Sequence, residues 1–269
     1  MRIWLVTGAS RGLGSALVGA VLARGDAVVA TARVPEQIAA ALPGYEERLL
    51  RCRLDVTDPD TVRASVAAAI ERFGRIDVLV NNAGRGLFGA VEETSVGEAK
   101  TLFETNVFGV LSVTNAVLPV MRAQRSGHVL MMSSMGGFAS GAGFGVYAAS
   151  KFAVEGLAEA LREELAPLGI TVTIVEPGVF ETEFASVSSA QAGRCIDDYH
   201  QASDTLADQV DDEPAGDPAW AAGQIVAVTA RANPPLRVPL GSDAVARIRG
   251  KLTTVAAELA DLAGTATSA

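Results

Sequence analysis

In the run Tyr147-Ala148-Ala149-Ser150-Lys151 a phenol and an amine stand four residues apart. If the run is helical, that spacing puts both side chains on one face. A free phenol titrates near ~10 and is a poor acid or base at neutral pH. A neighbouring ammonium favours the phenolate and lowers that value. A fall of roughly two or three units, at about 1.4 kcal/mol each, would bring Tyr147 into the range useful to a general acid or base. Such pairs are common on solvated helices, so the meaning of this one depends on what else the chain supplies.

The first glycine-rich turn reads Thr7-Gly8-Ala9-Ser10-Arg11-Gly12-Leu13-Gly14. An apolar run precedes it and a helical pattern follows, which is the setting in which such a turn receives a dinucleotide. Glycines permit the tight turn and the close approach of a pyrophosphate. The helix N-terminus then offers free N–H groups and the positive end of its dipole. The end of the second strand separates the two common cofactors. A carboxylate there would bind the ribose 2′-OH of NAD, but here the strand closes Ala30-Thr31-Ala32-Arg33. Arg33, with Arg11 from the glycine turn, suits a 2′-phosphate, because a guanidinium makes planar, charge-assisted paired bonds to phosphate. NADP(H) is therefore the expected cofactor, against the plainer reading of two solvated arginines.

Further motifs fall in order along the chain. Leu54-Asp55-Val56 closes the third strand, and Asn81-Asn82-Ala83-Gly84 the fourth. Asn106 lies in Thr105-Asn106-Val107-Phe108-Gly109, and Ser134 stands thirteen residues before Tyr147. Pro177-Gly178-Val179 follows the sixth strand, with Thr182 close behind. With the glycine turn and the tyrosine-lysine pair, this set resembles the short-chain dehydrogenase/reductase family, in its compact single-domain form, from residue 3 to about residue 241.

The resemblance implies specific roles. Tyr147 would give a proton to a carbonyl oxygen in reduction, or take one from an alcohol in oxidation. Ser134 would hydrogen-bond the same oxygen. Lys151 would hold the nicotinamide ribose and lower the tyrosine pKa. Asn106 would hold a water linking Lys151 to solvent. Cofactor contacts would fall on Gly8, Ser10, Arg11, Gly12, Leu13 and Gly14 in the first turn, and on Arg33 after the second strand. Asp55 and Val56 would flank the adenine. Asn82, Ala83 and Gly84, then Pro177, Gly178, Val179 and Thr182, would complete the cleft with Tyr147 and Lys151. The protein positions the groups and the cofactor carries the redox chemistry.

The elements that must hold these residues alternate. Short apolar runs at 2–7, 27–31, 49–54, 76–81, 129–133, 170–175 and 236–240 read as strands. Helical patterns at 14–24, 58–73, 96–122, 147–168 and 219–230 lie among them. Such alternation predicts a single α/β domain over 1–269, a doubly wound Rossmann-type parallel sheet of about seven strands with helices on both faces. The stretch 179–219 breaks the rhythm. Eight acidic residues fall from Asp197 to Asp217 with no Lys or Arg among them. It reads as a lid over the site or, equally, as a solvated acidic loop. Residues 264–269 read as a disordered tail.

The net charge of −9 argues against nucleic acid and anionic membranes as partners. No long uninterrupted apolar run is present, and the N-terminal MRIWLVTG is too short for a signal peptide. Two cysteines suit a reducing compartment, so a cytoplasmic location is expected. Two distant histidines, His128 and His200, offer no metal-site spacing, and no metal is expected. Five of the nine phenylalanines, Phe88, Phe138, Phe144, Phe180 and Phe184, fall near the expected site. An apolar pocket of that kind suits a hydrophobic ketone or secondary alcohol. The helices at 96–122 and 147–168 resemble those that form family dimers, so a homodimer or homotetramer is expected. Two other readings stay open: an NADP(H)-binding redox sensor without turnover, and an epimerase or dehydratase on the same scaffold.

Overall fold

The computed structural model describes residues 1–38, 44–199 and 215–266 of the 269-residue chain. Seven parallel strands form the central sheet: β1 (Ile3–Val6), β2 (Ala27–Ala32), β3 (Leu49–Arg53), β4 (Val78–Asn81), β6 (Gly127–Met132), β7 (Ile170–Pro177) and β9 (Arg237–Leu240), in the order β3-β2-β1-β4-β6-β7-β9. Every residue of β1, β2 and β4 is buried. Parallel strands covered on both faces must be apolar throughout, which is why these runs show no alternation. The strand order reverses between β1 and β4, where Leu5 pairs with Leu79. Their carboxyl ends open there into a crevice of the kind that takes ligands in such sheets.

Two apolar layers cover the sheet. On one face α1 (Gly12–Ala23) and α7 (Pro218–Val228) bury Leu17, Val21 and Ile225 against Trp4, Val28 and Val80. On the other, α2 (Pro59–Phe73), α4 (Gly109–Gln124) and α5 (Gly145–Leu165) bury Val66, Val113, Val117 and Val154 against Leu5, Leu79 and Val172. Asp58 caps α2 by accepting from the Asp60 amide, and Gly74 ends it in the left-handed conformation.

The expected helix at 96–122 is not continuous. α3 (Val96–Phe103), opened by a Ser95–Glu98 capping box, passes through a π-helical turn at Glu104–Phe108 before α4 begins. The turn carries Asn106. Val96–Gln124 as a whole is long and apolar enough to cross a membrane by composition. Its apolar residues Val113, Val117 and Met121 are fully buried in the core, as in the core helix of a globular domain, while Phe108 and Leu111 are exposed.

A second, two-stranded sheet pairs β5 (Gly86–Phe88) with β8 (Ser189–Gln191) beyond α6 (Phe184–Val187). It brings the first part of the 179–219 excursion down over the crevice. Three carboxylates anchor the segment after β8: Glu98 accepts from the Gly193 amide, Glu93 from the Ile196 amide and Glu92 from the Tyr199 hydroxyl. Residues 200–214, most of the acidic stretch, lie outside the described residues. The expected tail is corrected in part. α8 (Ser242–Ala266) includes residues 264–266, and only 267–269 lie outside the described residues.

Candidate active site

A single cavity of about 1560 Å³ runs from the glycine turn to the start of α5. Its floor is built by Thr7 and Asn82. The Thr7 hydroxyl accepts from the Asn82 and Ala83 amides at 3.0 and 2.9 Å, and the Asn82 side chain donates to the Thr7 and Gly8 carbonyls. These bonds lock the first turn against the end of β4. Gly8 has φ +67°, and a Cβ there would lie 2.9 Å from the Ala83 Cα. A Cβ on Gly14 would stand 2.3 Å from the Gly8 carbonyl oxygen. No acidic side chain stands in the first turn of α1, and its N-cap residue Arg11 makes no side-chain cap. The turn is thus a backbone cradle at a positive helix end, which suits a pyrophosphate.

At the other end, Tyr147 and Lys151 share one face of α5, both buried, with the Lys151 Nζ 5.8 Å from the phenol ring centroid. Nζ donates to the Met132 carbonyl at 2.8 Å. Ser134, at the start of a tight turn after β6, lies against the Tyr147 hydroxyl and favours its phenolate. Phe184 packs on the Tyr147 ring at 5.9 Å. Asn106 stands one layer behind and does not line the cavity. Its amide donates to the Arg85 carbonyl and the Ser150 hydroxyl, and its oxygen accepts from the Arg85 amide.

The electrostatics correct one expectation. Burial pushes the Tyr147 phenol up to about 12, and the Ser134 hydrogen bond offsets only part of that. Burial likewise pulls Lys151 down to about 8, against the pull of Glu155. Removing water from a phenolate costs more than the Ser134 hydrogen bond returns. With the protein's own groups alone, Tyr147 therefore holds its proton throughout the neutral range.

Behind Lys151 lies a buried acidic cluster that no sequence motif announces. Glu155, one turn further along α5, meets Glu176 of β7 across Arg237 of β9. The Arg237 Nε is 3.1 Å from Glu155 and 3.6 Å from Glu176, and its outer nitrogen reaches Glu159. Glu176 is 1% exposed, and neither of its oxygens has a hydrogen-bond partner among the described residues. Burial first, then the Glu155 charge, raises Glu176 to about 7 despite Arg237. A carboxyl raised in the folded state stabilises the fold below its unfolded pKa, near ~4.3, and loses that contribution as pH climbs through about 7. Glu176→Gln removes the titration. Thermal unfolding is expected to show the variant gaining on the parent by on the order of 2 kcal/mol between pH 5 and pH 8. Parallel pH profiles for the two proteins would refute this.

A family model described as short chain dehydrogenase matches residues 2–193. The chain belongs to that family. A crystal structure of a short-chain dehydrogenase from Streptomyces avermitilis superposes with a TM-score of 0.93 at 42% identity, covering 99% of each chain. Oxidoreductase BOA17 of Botryotinia fuckeliana is 39% identical over 91% of this chain and 90% of its own. Two more distant structures carry cofactors. A short chain dehydrogenase/reductase from Burkholderia phymatum is in complex with NAD (TM-score 0.78, 25% identity, 92% of each chain). An alcohol dehydrogenase from Thermococcus sibiricus is complexed with 5-hydroxy-NADP (TM-score 0.74, 25% identity, 89% of this chain and 96% of that one). This protein is thus an oxidoreductase of a family with NAD- and NADP-bound members.

The short-chain dehydrogenase cleft gathers nearly all the residues singled out from the sequence. Gly8, Ser10, Arg11, Gly12, Leu13, Gly14 and Arg33 line one end, Asp55 and Val56 a flank, and Asn82, Ala83 and Gly84 the base. Pro177, Gly178, Val179 and Thr182 lie opposite, and Ser134, Tyr147 and Lys151 close the far end. Of the five phenylalanines, four line the cavity, whereas Phe138 turns away beneath the Arg237 guanidinium. Two wall residues carry no signal in the sequence. Asp243, at the start of α8, accepts from the Val179 amide, and a Cβ on Gly178 would collide with its carboxylate at 2.0 Å. Arg247, one turn on, lies over Phe144 and donates to the Ala139 carbonyl. The run Gly241-Ser242-Asp243 is visible, but no spacing ties it to Val179, 64 residues away. His128 is a buried residue of β6 bonded to Thr173, and burial pulls it down to about 4. Among the described residues no group of His, Cys, Asp or Glu could hold a metal.

Proposed function

We propose that the protein is an NADP(H)-dependent carbonyl reductase or alcohol dehydrogenase for hydrophobic ketones and secondary alcohols, with Tyr147 as general acid/base. The observation that carries this reading is the convergence of the Tyr147 phenol, the Ser134 hydroxyl and the Lys151 amine in the cavity whose other end is the glycine cradle. Glycine at 8 and 14 lets the turn close tightly on the end of β4, where a Cβ at either would collide with Ala83, Asn82 or the Gly8 carbonyl. That tight turn leaves the helix N-terminus open to a pyrophosphate. Gly12, Leu13 and Gly14 would hold its phosphates with N–H groups, and Lys151 its nicotinamide ribose. When bound, the cofactor supplies or accepts the hydride.

The chain's own groups handle the proton. Because burial keeps Tyr147 protonated through neutrality, it is set to donate to the oxygen of a carbonyl being reduced. Ser134 donates to the same oxygen and stabilises its developing charge. Lys151, cationic below about 8, supplies a positive charge beside that oxygen in a dry site. Asn106 ties the π-helical turn before α4 to Ser150 of α5 and to Arg85, and so fixes the position of the helix that carries both groups.

Phe88, Phe144, Phe184 and Val187 wall the space above Tyr147, which favours an apolar substrate. A panel of apolar and charged ketones and alcohols, followed by NADPH absorbance, tests the assignment. The proposal expects turnover confined to the apolar members, and no turnover with any of them would refute it.

The preference for NADP(H) rests on β2, which ends without a carboxylate and hands on to Arg33 at the cavity wall. Arg33→Ala is expected to weaken NADPH about tenfold, the value of one charge-assisted phosphate contact at an exposed site, and to leave NADH unchanged. Fluorescence titration with both cofactors checks this. Exposed Phe108 and Leu111 around α4 and Phe152 on α5 fit a homo-oligomeric interface on that face. Both cysteines are free, which suits a cytoplasmic protein.

A further inference from the structure

Among the described residues, α8 packs into the rest of the protein over its first two turns. There Asp243 binds the Val179 amide, Arg247 binds the Ala139 carbonyl, and Ala244 and Ile248 are buried. From Arg249 onward every described side chain through Leu262 is exposed except the half-buried Val255. The helix nevertheless continues to Ala266. At 1.5 Å per residue the part beyond Ile248 projects about 27 Å. A helical extension of that length draws most of its stability from packing an apolar face, and is marginal without it.

The apolar face is present. Ile248, Leu252, Val255, Leu259 and Leu262 recur at alternating steps of four and three, the spacing of a coiled-coil seam. The stripe that is buried at Ile248 therefore runs on into solvent, with Leu252 at 52% and Leu259 at 63% exposure. The flanking charges say what covers it. Arg249 and Lys251 lie in the near half, and Glu258 and Asp261 in the far half. Lys251 and Glu258 occupy equivalent positions, seven residues apart, on the same side of the seam. In an antiparallel pair of identical helices such positions face each other across the dyad, so each lysine would meet a glutamate. A parallel pair would set the basic halves together.

We infer that α8 pairs antiparallel with α8 of a second copy of this chain, about a two-fold axis passing near Val255. Leu252 of each copy then packs beside Leu259 of the other, and two Lys251–Glu258 contacts flank the seam. The contact is isologous, as a two-fold requires, and is separate from the α4–α5 face. Two such interfaces on one chain join dimers into a larger assembly.

The experiment combines mass and cross-linking. Light scattering on the full chain gives the assembly mass for the parent and for Leu252→Asp/Leu259→Asp, whose altered positions are solvent-facing within one copy. The melting temperature of each confirms that the fold persists. The expected result is a halved mass for the variant. In parallel, Val255→Cys in a Cys195→Ser background is oxidised gently, and a disulfide-linked dimer is expected because the axis brings the two Val255 positions together. An unchanged mass in Leu252→Asp/Leu259→Asp overturns the inference. A halved mass without the Val255→Cys dimer overturns the antiparallel register. Neither readout depends on the chemistry proposed for the cleft.

Discussion

Tyr147→Phe is expected to lower turnover by about 10²–10⁴-fold while leaving NADPH affinity within about twofold of the parent. The substitution removes one oxygen from a ring already packed against Phe184. It leaves the cradle at the opposite end of the cavity untouched. The loss should appear in kcat more than in KM, since the missing contact strengthens only as charge develops on the substrate oxygen. Single-turnover kinetics with cofactor binding measured separately decides it. Retention of more than about a tenth of the parent rate would remove Tyr147 from the proton-transfer role.

The second large effect is expected at Gly14→Ala. Alanine is the better helix former by about 1 kcal/mol, so propensity alone would favour the change. The new methyl group would instead stand 2.3 Å from the Gly8 carbonyl oxygen and 2.6 Å from the Asn82 amide nitrogen. Both are anchored: the Asn82 amide donates to the Thr7 and Gly8 carbonyls, which carry the turn. The turn must move by on the order of 1 Å, enough to cost about 10²-fold where geometry is tight. NADPH titration is expected to show that loss, with a lowered melting temperature. Gly156→Ala in α5 serves as the control, because a Cβ there meets nothing within 4 Å. Equal behaviour of the two variants would show that the turn yields freely.

Much of this site could be read from the chain because its parts are local. A glycine turn between a strand and a helix, Asn-Asn-Ala-Gly at a strand end, and Tyr and Lys four apart each declare themselves within a few residues. The central strands were visible because full burial leaves continuous apolar runs. What escaped depends on contacts between distant segments. β5 and β8 are three residues each, too short for any periodic signal, and about a hundred residues separate them. The π-helical turn at Asn106 interrupts a run whose composition is helical throughout. Glu155 and Glu176 come together only because α5 packs on β7, and neither carboxylate looks buried in sequence. The tyrosine pKa went the other way for the same reason. The lysine stands four residues away in sequence, but the depth of burial that raises the phenol belongs to the fold.

Direct transfer of hydride in this cleft is the central claim. NADPH deuterated at the transferring C4 position, incubated with an apolar ketone and the parent protein, should yield an alcohol one mass unit heavier at the former carbonyl carbon. Tyr147→Phe should bind the same cofactor and yield almost none. Label that stays with tightly bound cofactor while the ketone is unchanged, or passes to water instead, would contradict the account.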